Sequence, residues 1–157
     1  MEHIISVLVE NKFGVLARVA GLFSARGYNI ESLSVAATLD PTTSRITIVT
    51  VGDDRIIEQI MKQLNKVVEV LEVVDLTETD FLDRETALIK VLTKPEHRDE
   101  AVRIADIFRA KIVDVQRATL TIEITGDETK VEKFLQLMEV FGVVELTRTG
   151  KVALPRN

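Results

Sequence analysis

Residues 4–33 read IISVLVENKFGVLARVAGLFSARGYNIESL, and the order of patterns within them decides the fold. Ile4 to Val9 is an apolar, β-branched run of the kind that forms a buried strand. After Gly14, the residues Val15, Leu16, Val19, Leu22 and Phe23 recur at helical spacing, and Gly27 ends the pattern where a left-handed residue is wanted. Ile30 to Leu39 reads as a second strand. Working outward, Asp40-Pro41-Thr42-Thr43-Ser44 has turn chemistry, and Arg45 to Val51 is a third strand. Asp53 and Asp54 place negative charge at the start of a helix, where the helix dipole favours it. Ile57, Ile60, Met61, Leu64 and Val68 mark that helix's inward face, and Glu69 to Leu76 closes the unit as a fourth strand.

The same order then recurs. Thr86 to Thr93 is a strand, His97 to Ala110 a helix, and Ile112 to Val115 and Leu120 to Thr125 are two strands. Gly126-Asp127 opens a helix with Val131, Phe134, Leu135, Met138 and Phe141 on one face, and Val143 to Thr147 is the last strand. The fold class is therefore α+β, built from two tandem ferredoxin-like βαββαβ modules. The first spans 1–78, an acidic, solvated linker spans 79–85, and the second spans 86–157. Modules of this size bury a limited core, so packing between copies or subunits is expected.

Composition narrows the function. The 157 residues are 46% hydrophobic and 29% charged, which suits a folded, soluble chain. A net charge of −5 argues against nucleic acid, and 4% aromatic content without tryptophan argues against base stacking. There is no cysteine, hence no disulfide, thiol catalysis or cysteine-ligated zinc. No apolar run reaches the roughly 20 residues of a membrane span, and no basic, apolar leader precedes the first strand. A cytoplasmic location is expected. No phosphate loop, H-E-x-x-H or nucleophile elbow is present, so no catalytic or metal residue is assigned. His3 and His97 read as ordinary surface or strand-end histidines, and the carboxylates from Asp75 to Glu85 as a solvated linker.

The informative segment is Asn11-Lys12-Phe13-Gly14, between a strand and a helix. A helix start leaves backbone N–H groups unpaired, and together with the dipole they favour an anion such as a carboxylate. Gly14 lacks a Cβ, which lets a ligand approach the backbone. Asn11 offers an amide, and Asn29, just past the helix, offers a second. The competing explanation is that Asn and Gly simply make turns and end helices here. Ala17, Gly21 and Ser24 form a line of small residues on the first helix, which suits either a close homodimer or tight packing on the chain's own sheet.

The runs Ser6 to Asn11, Gly14 to Val19 and above all Arg26-Gly27-Tyr28-Asn29-Ile30-Glu31-Ser32-Leu33 resemble the small regulatory subunit of acetolactate (acetohydroxyacid) synthase. Asp40-Pro41 to Arg45, Ile107 to Ala110 and the ending from Arg148 to Leu154 resemble it too, so the resemblance covers essentially the whole chain. It implies an N-terminal ACT domain and a C-terminal ACT-like domain, a homodimer through the ACT domains, and an effector, usually valine, at their interface. Carried onto this chain, Asn11, Gly14, Val15 and Leu16 would line the loop and helix start, with Asn29 and Ile30 supplied by the second copy. It further implies a large catalytic subunit as partner, which holds thiamine diphosphate, magnesium and often FAD. None of these cofactors is expected on this chain. Ala37 stands where many relatives have proline, and the second module has no counterpart of Asn11 or Gly14. A free-standing sensor or transcriptional regulator would need a DNA-binding segment, and a small enzyme of this fold an acid–base or nucleophile set. Neither is visible.

Overall fold

A computed structural model describes residues 1–157. The chain divides into two compact units, Met1–Leu82 with Lys151–Asn157, and Asp83–Gly150.

In the first unit the elements follow as β1 (Glu2–Glu10), α1 (Val15–Ala25), β2 (Ile30–Ala37), β3 (Thr43–Val51), α2 (Asp54–Leu64) and β4 (Val70–Asp75). The sheet order is β2-β3-β1-β4, and all its pairs are antiparallel. Register sets the core: Ile5 faces Ile48 and Val7 faces Ile46 across β1 and β3, so four β-branched side chains share one face. Val15, Val19 and Phe23 of α1 and Ile57, Ile60 and Leu64 of α2 close over them. Each such side chain contributes about 1.5–3 kcal/mol on burial. The Asp53 side chain caps α2 by accepting from the Arg55 amide at 2.7 Å. The β2–β3 turn is locked by Asp40, whose Oδ1 accepts from the Thr42 amide at 2.9 Å and its hydroxyl at 2.7 Å.

The second unit repeats the order with β5 (Phe81–Leu92), α3 (Pro95–Ile107), β6 (Lys111–Val115), β7 (Thr119–Gly126), α4 (Glu128–Met138), a 3-10 turn (Glu139–Phe141) and β8 (Val143–Arg148). Its strands lie in the order β6-β7-β5-β8. Ala87, Ile89 and Val91 oppose Ile124, Ile122 and Leu120 in antiparallel register. Ala101 and Ala105 of α3 and Val131, Phe134, Leu135 and Met138 of α4 cover that face. Two small alanines let α3 approach the sheet, and Phe134 meets Phe108 edge-on with ring centres 5.4 Å apart.

Two boundaries differ from expectation. Residues 79–85 are not a solvated linker throughout, because β5 begins at Phe81 and Glu85 is buried, its carboxylate bonded to the Arg148 guanidinium. The last residues, expected in the second module, form β9 (Val152–Pro155) and belong to the first unit. Ala153 packs in a small cluster with Ile4, Val49 and Leu76, and Lys151 is buried with its Nζ 2.8 Å from Glu2.

Candidate functional site

The β1–α1 turn is held from below by backbone bonds. The Glu10 amide donates to Glu69 O at 2.8 Å and the Asn11 amide to Thr42 O at 2.7 Å. Asn11 also donates its Nδ2 to Pro41 O at 3.2 Å, which leaves Oδ1 as the free half of its amide. Gly14 is the N-cap of α1 and lies in the left-handed region, φ 83° and ψ −8°. No side chain caps this helix. The Val15 amide reaches Lys12 O only at 3.4 Å, and the Leu16 and Ala17 amides receive no acceptor from the turn. A Cβ built on Gly14 would meet nothing within 4 Å, so the space over the helix start is open. Open space, uncapped amides and the positive end of a helix dipole are together an arrangement with the chemistry to hold a small anion.

The other expected residues fall into two groups. Leu16 is 40% exposed beside the turn, whereas the Val15 side chain is turned into the core at 2% exposure, so its backbone is what a ligand can meet. Asn29 and Ile30 lie past the far end of α1. An 11-residue helix is roughly 16 Å long, so one chain does not bring Asn29 to Gly14 along that helix. Asn29 is exposed, its carbonyl accepting from the Thr50 hydroxyl at 2.8 Å, and Ile30 is half-buried against the first core.

The line of small residues has a definite setting. Ala17, Gly21 and Ser24 are all exposed, and a Cβ on Gly21 would meet nothing within 4 Å. They do not serve packing on the chain's own sheet. β2 is an edge strand, with Leu33 and Val35 36% and 41% exposed. Arg18 and Arg26 are engaged: Arg18 pairs with Glu69, which holds that carboxyl below its usual range, and Arg26 donates to Gln59 Oε1 at 3.0 Å.

Sequence reasoning missed Tyr28 and Gly52. The Tyr28 hydroxyl accepts from the Asp53 amide at 2.6 Å and donates to Asp53 O at 3.3 Å, tying the chain before Asn29 to the start of α2. A Cβ on Gly52 would lie 2.0 Å from the Tyr28 ring, so the ring's seat requires glycine there. Asp53-Asp54 was legible as a helix start, but the contact of Gly52 with the Tyr28 ring, 24 residues away, carries no local signal. No group of three or more His, Asp or Glu side chains has a metal-holding arrangement, and no helix is long and apolar enough to cross a membrane.

Comparison with known proteins covers both units. Residues 5–72 match the family model of the AHAS small subunit-like ACT domain, and residues 84–157 match that of the small subunit of acetolactate synthase. A probable acetolactate synthase small subunit from Archaeoglobus fulgidus is 56% identical over 100% of this chain and 98% of its own length. The small subunit of acetolactate synthase isozyme 3 from Escherichia coli is 48% identical, covering 100% of this chain and 97% of its own. The crystal structure of the Thermotoga maritima acetolactate synthase small subunit superposes with a TM-score of 0.90 at 46% identity, over 100% of this chain and 98% of that one.

Proposed function

Because this chain belongs to the acetolactate synthase small-subunit family, we propose that it activates a thiamine-diphosphate-dependent catalytic subunit and makes that subunit sensitive to a branched-chain amino acid, valine or its relatives isoleucine and leucine. The observation that carries the sensing half is the turn at Gly14: a left-handed glycine with open space above it and uncapped helix amides behind it. The effector carboxylate sits on those amides. Its ammonium meets Asn11 Oδ1 and the Asn29 amide of a second copy, and its aliphatic side chain lies on Leu16 and the second copy's Ile30. The homodimer is built through the β2 edge and the open stripe of Ala17, Gly21 and Ser24. Thiamine diphosphate, magnesium and FAD stay with the catalytic subunit, and this chain contributes no catalytic group.

Regulation follows from differential affinity. An effector that binds the less active arrangement of the holoenzyme about 5–150-fold more tightly shifts it by roughly 1–3 kcal/mol. The test is the activity of a cognate catalytic subunit with and without this chain, across a valine titration. Activation, followed by inhibition that Gly14→Asp abolishes, is the expected pattern. The substitution adds an anion and a strained Cβ where the carboxylate belongs. Unaltered inhibition in that variant removes the site, and absence of any activation removes the subunit assignment.

A further inference from the structure

A buried histidine lies outside the proposed effector site. His3, on β1, is 5% exposed. Its Nδ1 is 3.0 Å from Asp75 Oδ2 at the end of β4, and its Nε2 is 2.9 Å from Asp54 Oδ1 on the first residue of α2. A neutral imidazole has one N–H, so one ring nitrogen would then aim its lone pair at a carboxylate oxygen. Both contacts are hydrogen bonds only when both nitrogens carry hydrogen.

The cavity beside the ring supplies no competing cation. It measures about 220 Å³ and is lined by His3, Asp54, Glu58, Asp75 and Glu78, with Ile57 and Met61 as its apolar wall, and by no lysine or arginine. On β3, the cross-strand neighbour Thr50 gives its hydroxyl to Asn29 O. Asp75 is biased toward its anionic form. Burial raises its carboxyl, but the Thr77 hydroxyl, the Thr77 amide at 3.0 Å and His3 together hold it below the usual range. The Asp54 side chain is 66% exposed, so water can replace its histidine contact at small cost.

We propose that His3 is a proton-dependent clamp: as an imidazolium it fastens the first turn of α2 to β1 and β4, and loss of one ring proton releases Asp54. The released turn is the one that the Tyr28 hydroxyl also holds at Asp53. The clamp contributes stability while the ring is cationic and loses it on the alkaline side as the proton leaves. On the acid side the lowered carboxyl of Asp75 sets the limit: its contribution is complete above the ordinary value of 3.8 and disappears as pH falls through the lower folded value.

Two-bond nitrogen–proton spectra of the full chain at neutral pH read the ring directly, with exposed His97 as the second histidine in the same sample. Both His3 ring nitrogens are expected to be protonated, and one bare ring nitrogen overturns the clamp. Melting curves of the wild type, His3→Gln and His3→Lys from weakly acidic to alkaline pH give an independent reading. The wild type should melt above His3→Gln by a lead that shrinks as pH rises, while His3→Lys keeps its melting temperature across the range. Parallel wild-type and His3→Gln curves overturn the proposal. Should His3→Lys not fold, the spectra and the glutamine comparison decide alone.

Discussion

In the first module the chain enters α1 through Gly14 at φ 83°, leaving the Leu16 and Ala17 amides without an acceptor. In the second it enters α3 through Lys94 in an extended conformation, followed by Pro95, which has no N–H at all. There the His97 and Arg98 amides both bond back to Lys94 O, at 2.9 and 3.1 Å. The first turn is open to an anion and the second has closed on itself, although both join the same kind of strand to the same kind of helix. The far ends of these helices differ as well. Gly27 takes φ 74° after α1 without steric cost, whereas Arg109 takes φ 57° after α3 with a full side chain. One topology thus carries a turn with uncapped helix amides in one copy and a turn whose amides are satisfied by its own backbone in the other.

The largest effects are expected in the two cores. Phe23 and Phe134 are each fully buried, one per module. Replacing either by Ala is expected to cost about 3–5 kcal/mol in chemical denaturation. If the modules divide labour as described, Phe134→Ala at permissive temperature leaves valine binding intact by calorimetry while Phe23→Ala abolishes it. Equal losses of binding would show that sensing does not reside in the first module. Gly14→Asp is expected next, costing about 1–2 kcal/mol from its left-handed backbone. A Lys94→Asp change on the second turn should shift neither melting nor inhibition comparably. The α2 and α4 caps are matched, Asp53 accepting from the Arg55 amide and Asp127 from the Lys130 amide. Asp→Ala at either should cost about 1 kcal/mol, and a much smaller loss at Asp127 would mark its cap as dispensable. Smallest is the helix-end exchange: Arg109→Gly should stabilise by about 0.5–1 kcal/mol and Gly27→Arg should destabilise by a similar amount. Melting shifts of the same sign in both would contradict the strain assigned to Arg109.

The sequence made the repeated order and most of the core readable because buried residues recur at fixed periods. Val15, Val19 and Phe23, or Ile57, Ile60 and Leu64, need no knowledge of distant partners. That same period already put Val15 on the inward face, in conflict with a ligand-lining side chain, and the structure resolves the conflict in favour of the core. Gly14 was legible because a strand running into a helix demands a special backbone at their junction. What escaped was non-local. Asp83 and Glu85 look like linker until Arg148, 63 residues beyond Glu85, supplies the partner that lets the glutamate be buried in a strand. β9 has four residues and no period of its own, and its burial comes from Ile4, Val49 and Leu76. His3 reads as a strand-end residue until the folds of β4 and α2 bring a carboxylate to each side of its ring.

The return of Lys151–Asn157 to the first unit has a consequence for how the polypeptide matures. During synthesis, all the residues of 83–150 leave the ribosome before the first unit possesses its final strand. The second unit can therefore close while the first still shows Ile4, Val49 and Leu76 without Ala153. A fragment cut after Leu82 inherits that bare patch, so expressing the first unit alone calls for a graft of residues 151–157 rather than a simple stop codon.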